Sequence, residues 1–185
     1  RWRQENKRLF VVTNSDRAFA ARVLDHVLPA WREVFDVIIT GARKPGFFAE
    51  GTNRADVANV AGAREGRTVV IDAGNASRVE QMLGVPRPRV LYVGDNGRAD
   101  VAPARRRGWR TVHVVAEMDA VEPAGPWAGA LDHEGFPTWF ARAIFEHADA
   151  ACARVDALLA AGPHARLACA DDFYTRIIGP HRARA

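Results

Sequence analysis

A chain of 185 residues is long enough for one domain with a real core, and at 48% hydrophobic and 26% charged it reads as globular, neither disordered nor membrane-embedded. No apolar stretch approaches the ~20 residues of a membrane helix, and the charged residues 1–8 lack the apolar middle of a signal peptide. The net charge of +4 is spread thinly, with only short clusters such as Arg105-Arg106-Arg107, so a solvated basic surface is expected and a nucleic-acid patch is not. Two widely spaced cysteines, Cys152 and Cys169, fit a reducing, cytoplasmic setting without a disulfide framework. The first residue is Arg, not Met, and the chain is expected to belong to a longer protein.

Leu9-Phe10-Val11-Val12 is an apolar run that stops at Thr13-Asn14, and it predicts a buried strand. Ser15 or Asp16 then caps a helix through about residue 28, with Phe19, Val23, Val27 and Leu28 along one face and Pro29 ending it. Asp36-Val37-Ile38-Ile39-Thr40 predicts a second buried strand, followed over 41–48 by a loop rich in turn formers. Residues 51–66 are polar and irregular, an excursion with a hairpin or short helix. A short strand over 68–71 and a helix over 76–83, ended by Gly84, come next. Val90-Leu91-Tyr92-Val93 predicts a buried strand that stops at Gly94-Asp95. A helix from about 100 to 107 stops at Gly108, and a strand over 111–115 follows.

Strands and helices therefore alternate from 9 to 115, the pattern of an α/β domain with a doubly wound parallel sheet. Residues 118–137 carry Pro123, Gly125, Pro126, Gly129, Gly135 and Pro137 and read as a linker between a core over 1–117 and a helical extension over 138–185. In that extension, Trp139, Phe140, Ala143, Ile144, Val155, Leu158 and Leu159 stripe an amphipathic helix over 138–161. Packing of this stripe back onto the domain is favoured over use in a homo-oligomer. A shorter helix over about 168–178 follows.

Three strand ends carry residues suited to phosphate chemistry. The first offers Thr13-Asn14-Ser15-Asp16, where a hydroxyl and the N–H groups of a helix N-terminus suit phosphate oxygens. The loop after the second offers Lys44. Of 26 basic side chains only Lys7 and Lys44 are lysine, so a lysine in this loop is a marked choice, a compact charge for a transferring group. The strand over 90–93 offers Asp95 and, five positions on, Asp100, an oxygen-only pair suited to Mg²⁺. Each also has a purely structural reading: a strand-ending threonine, an N-cap box, an exposed loop charge, a turn aspartate with a capping aspartate. Their order along one predicted sheet edge favours the chemical reading, because open α/β sheets bind ligands at the carboxyl ends of their strands.

The order strand-Thr, then Lys, then Gly-Asp-x4-Asp resembles motifs two, three and four of the haloacid dehalogenase-like phosphohydrolases. Thr13-Asn14-Ser15-Asp16 and Ala42-Arg43-Lys44-Pro45-Gly46-Phe47-Phe48 are more narrowly similar to the cytosolic purine 5'-nucleotidase branch, as are Gly74-Asn75-Ala76 and Arg107-Gly108-Trp109-Arg110-Thr111. The resemblance covers about residues 7–117. It implies that Thr13 and Asn14 bind the substrate phosphate and that Lys44 stabilises the phosphate and the nucleophile. It also implies that Asp95 binds Mg²⁺ with Asp100 in support. The implied reaction is Mg²⁺-dependent hydrolysis of a nucleoside 5'-monophosphate, or another small phosphate ester, through an aspartyl-phosphate.

The chain departs from that family in one respect. The family's nucleophile and general acid come from an Asp-x-Asp motif on a first strand, and no Asp-x-Asp occurs here; Asp171-Asp172 are adjacent and late. The resemblance implies that this motif and the cap region lie upstream of residue 1. The missing strand would sit between the strands at 9–13 and 90–93, leaving two edges with unpaired backbone groups. The chain alone is then expected to be inactive and poorly stable. The alternative is a non-catalytic remnant that binds phosphate or a partner. A dinucleotide-binding domain is disfavoured because no Gly-x-Gly-x-x-Gly turn follows the first strand. A receiver-type domain would order acids and lysine the other way.

Overall fold

The computed structural model describes residues 3–4, 6–49, 62–117, 132–133 and 136–155. It divides into two compact units, Arg1–Arg87 and Pro88–Ala185. Both are α/β, with sheets that are mainly parallel.

The first unit runs β1 (Phe10–Val12), α1 (Arg17–Val27), α2 (Trp31–Val34), β2 (Val37–Thr40), β3 (Ala63–Glu65), β4 (Thr68–Asp72) and α3 (Ala76–Leu83). Its sheet has the order β1-β2-β4-β3, with β1, β2 and β4 parallel and β3 antiparallel to β4. Every residue of β2 is buried, as expected for a central parallel strand covered on both faces. Trp31, Ile38 and Val70 centre the core, and Val11, Ala21, Leu24, Leu28 and Phe35 pack against them. Asp16 is the N-cap of α1, its carboxylate accepting from Phe19 N–H at 2.9 Å. The C-cap of α3 is Gly84 at φ +61°, a left-handed position that glycine takes without strain.

The second unit runs β5 (Leu91–Gly94), a π-turn over Gly97–Val101, α4 (Ala102–Arg106), β6 (Arg110–Val114), the short antiparallel pair β7 (Asp132–His133) and β8 (Phe136–Pro137), α5 (Trp139–His147) and β9 (Ala150–Cys152). Its sheet has the order β5-β6-β9, all parallel.

Four expectations are corrected. The strand at 9–12 is half-buried instead of buried; among the described residues β1 stands at the edge of its sheet. In β5, at the edge of its sheet among the described residues, Leu91 is exposed while Tyr92 is buried. The face of α1 turned to the core is Ala20, Ala21, Leu24 and Leu28, whereas Phe19, Val23 and Val27 stand exposed. The helix expected over 138–161 stops at His147, and the chain returns as strand β9. The stop has tertiary causes. Asp149 Oδ2 accepts from Thr111 N–H at 2.8 Å, and Asp149 N–H donates back to Thr111 Oγ1 at 3.2 Å. Arg105 donates to the carbonyls of Glu146 and Ala148, which satisfies the helix end. The expected linker lies largely, and the helix over 168–178 with Cys169 wholly, outside the described residues, as do residues 51–61 of the polar excursion.

Candidate active site

In the first unit, parallel pairing carries the ends of β1 and β2 to one sheet edge. The ladder continues past both strands: Thr13 N–H donates to the Ile39 carbonyl at 2.9 Å, Ala42 N–H to the Thr13 carbonyl at 3.0 Å and Gly41 N–H to the Ser15 carbonyl at 2.7 Å. The loop carrying Lys44 is thus laid across the end of β1. Asn14 fastens it, its Oδ1 accepting from the backbone N–H of Lys44 at 2.7 Å. The Lys44 ammonium donates to the Val12 carbonyl at 3.3 Å. Just beyond, Phe47 and Phe48 are buried edge to face, ring centroids 4.9 Å apart, and hold the far side of the loop in the core.

Thr13, Asn14 and Lys44 therefore come together, on a half-buried hydroxyl, an exposed amide and a half-buried ammonium. Thr13 Oγ1 accepts from Ser15 N–H at 3.1 Å. The Asp16 cap already occupies Phe19 N–H, one of the helix N–H groups that the sequence offers to a phosphate.

In the second unit, β5 ends at Gly94 and delivers the exposed Asp95 to the loop. Asn96 caps the π-turn by accepting from Arg98 and Ala99 N–H at 3.1 and 2.8 Å. That turn brings Asp100 back against the strand end, where it is only 4% exposed. Its space exists because residue 94 has no side chain: a Cβ there would lie 2.6 Å from the Asp100 Cβ. Tyr92 donates its phenol proton to Asp100 Oδ1 at 2.6 Å. Burial, then the Asp100 carboxylate, push the phenol's pKa upward, so it remains a donor at neutral pH.

His113 lies opposite Gly94 in the β5–β6 register, with Nε2 3.2 Å from the Asp95 carbonyl. A carbonyl only accepts, so Nε2 carries the proton, and the buried Nδ1 is left without a hydrogen-bond partner. Burial pulls the imidazole's pKa down, against the opposing effect of Asp95.

The donor set at the end of β5 is oxygen-only. No group of three or more His, Cys, Asp or Glu forms a metal cluster among the described residues. Two carboxylates completed by waters and a substrate phosphate is the manner in which Mg²⁺ is usually held, so Asp95 and Asp100 fit that ion. Thr13 with Lys44 and Asp95 with Asp100 belong to different units.

Tyr92 and His113 escaped the sequence reading. For Tyr92 a signal was present: strand alternation sets residues 92 and 94 on one face of β5, so whatever fills the gap at Gly94 also meets Tyr92. For His113 there was none, because its partner depends on the register of two strands.

A family model described as the 5' nucleotidase family matches residues 1–122. The chain is 33% identical over 122 residues to human 5'-nucleotidase domain-containing protein 2, covering 61% of this chain and 24% of that protein. It matches the rat protein of the same name at 33% over 122 residues, covering 61% and 22%. Human 5'-nucleotidase domain-containing protein 1 is 28% identical over 125 residues, covering 60% and 28%. The chain thus spans about a quarter of the length of these relatives. Matched over most of its length, the chain belongs to the 5' nucleotidase family.

Proposed function

We propose that this chain supplies part of the active site of a Mg²⁺-dependent phosphohydrolase acting on nucleoside 5'-monophosphates. The observation that carries the reading is the bond from Lys44 N–H to Asn14 Oδ1, which ties the lysine loop to the Thr13 strand end. In this reading Thr13 Oγ1 and the Asn14 amide hold phosphate oxygens, and Lys44 offsets the negative charge that gathers as the phosphoryl group transfers. Asp95, supported by Asp100, would hold Mg²⁺, which would supply positive charge against the phosphate. A carboxylate from outside these 185 residues bonds to phosphorus as the ester P–O bond breaks. The leaving 5' oxygen takes its proton from a second carboxylic acid, also from outside these residues, and water then cleaves the acyl-phosphate to release phosphate and restore the carboxylate.

Phosphate release from IMP, GMP and AMP by the protein made from its complete gene tests the reading. Release that stops with chelator and returns with added Mg²⁺ is expected. Full activity in chelator, or no release from any nucleotide, contradicts it.

A further inference from the structure

We infer that Tyr92 is a positioning residue for Asp100, fixing a buried carboxylate in the orientation that serves a divalent cation. The inference rests on the reading of Asp95 and Asp100 as the Mg²⁺-holding pair. Three observations carry it. The phenol is 2.6 Å from Asp100 Oδ1, and both residues are buried at the carboxyl end of β5. Gly94 leaves the space they share: a Cβ there would lie 2.6 Å from the Asp100 Cβ and 3.3 Å from Tyr92 Cε1. The Tyr92 ring is itself held, its centroid 5.9 Å from that of Trp109.

The chemistry of the donor matters. A buried carboxylate is costly unless something donates to it. An arginine or lysine would do so by neutralising the charge that a cation needs. A phenol is a neutral donor: it locks the rotamer and leaves the negative charge in place. Partners of this kind behind a metal ligand typically contribute 10–100-fold in metal affinity.

Mn²⁺ binding, read from the electron paramagnetic resonance of the free ion, tests the role in the protein made from its complete gene. Wild type, Tyr92→Phe, Asp100→Asn and the double variant are compared, and the thermal unfolding of each is recorded in chelator. Phenylalanine keeps the ring against Trp109, so the metal-free protein should still unfold cooperatively. Tyr92→Phe is expected to raise the Mn²⁺ Kd about 10-fold. Asp100→Asn should raise it at least as much, and the double variant should be no weaker than Asp100→Asn alone, since the phenol acts through that carboxylate.

A phenol with a purely structural role would lower the unfolding temperature of the Phe variant and leave its Kd at the wild-type value. That result overturns the inference while Asp100→Asn still weakens binding and the Mg²⁺ reading stands. Wild-type protein that takes up no Mn²⁺, or an Asp100→Asn variant that binds as wild type does, removes the Mg²⁺ reading and the inference with it.

Discussion

Asn14 fixes the lysine loop and is proposed to bind phosphate, and the two roles can be separated. Its Oδ1 already accepts from Lys44 N–H, so its first task is to fix the lysine loop. Asn14→Ala is expected to lower stability by about 1 kcal/mol, the loss of one partly exposed hydrogen bond. Asn14→Asp keeps an acceptor for Lys44 N–H but sets a negative charge where a phosphate would sit. Chemical denaturation of Asn14→Asp should then match wild type more closely than that of Asn14→Ala, while its phosphate release falls further. That Thr13, Lys44 and Asp95 lie just beyond strand ends was legible in the sequence, because each follows closely on an apolar run. Their detailed partners were not. Nothing in the order of residues says that Asn14 would hold a backbone N–H thirty positions away, or that a phenol would donate to Asp100.

Among the elements, five strands were readable as short apolar runs, most clearly Val37-Ile38-Ile39-Thr40, since a parallel strand buried on both faces is continuously apolar. The phase of α1 was not. Phe19, Val23 and Val27 form a stripe at four-residue spacing, but Ala20, Leu24 and Leu28 form a second stripe one residue on. Periodicity alone does not choose between them; contact with Trp31, Ile38 and Val70 does. Leu24→Ala is therefore expected to cost about 2 kcal/mol as a core truncation, while Phe19→Ser should stay within about 0.5 kcal/mol as a surface change. Urea unfolding of the two variants checks the order, and a larger loss for Phe19→Ser would place the wrong face inward. The end of α5 shows the same limit. The run Ala148-Asp149-Ala150-Ala151-Cys152 favours helix by composition, yet Asp149 is held by Thr111 and the chain becomes strand β9.

At the scale of the molecule, several arginines among the described residues serve ion pairs. Arg17 pairs with Glu65 and Asp72, Arg32 with Asp25 and Glu65, and Arg105 and Arg110 with Asp149. Asp36 ties three segments of the first unit together. It accepts from Leu9 N–H and from Arg3 at 2.9 Å, with Arg67 at 3.4 Å. Burial pushes its pKa up, but the Leu9 N–H and the two guanidinium groups outweigh that and hold it below the ordinary value of 3.8. A depressed carboxylate contributes fully above its unfolded pKa, and the contribution fades as pH falls through the folded one. Asp36→Asn should thus cost about 2 kcal/mol at pH 7. Its stability gap to wild type should close as pH drops below 3.8, which unfolding curves at a series of pH values would follow.

The proposed function assigns Lys44 and Asp95 each a part in phosphoryl transfer. It is tested most directly by kcat/KM for IMP in the protein made from its complete gene, compared with Lys44→Met and Asp95→Asn. A loss of about 100-fold or more is expected for each substitution, the scale on which removal of a charge-stabilising group from a transition state is felt. Hydrolysis at the wild-type rate by either variant would contradict it.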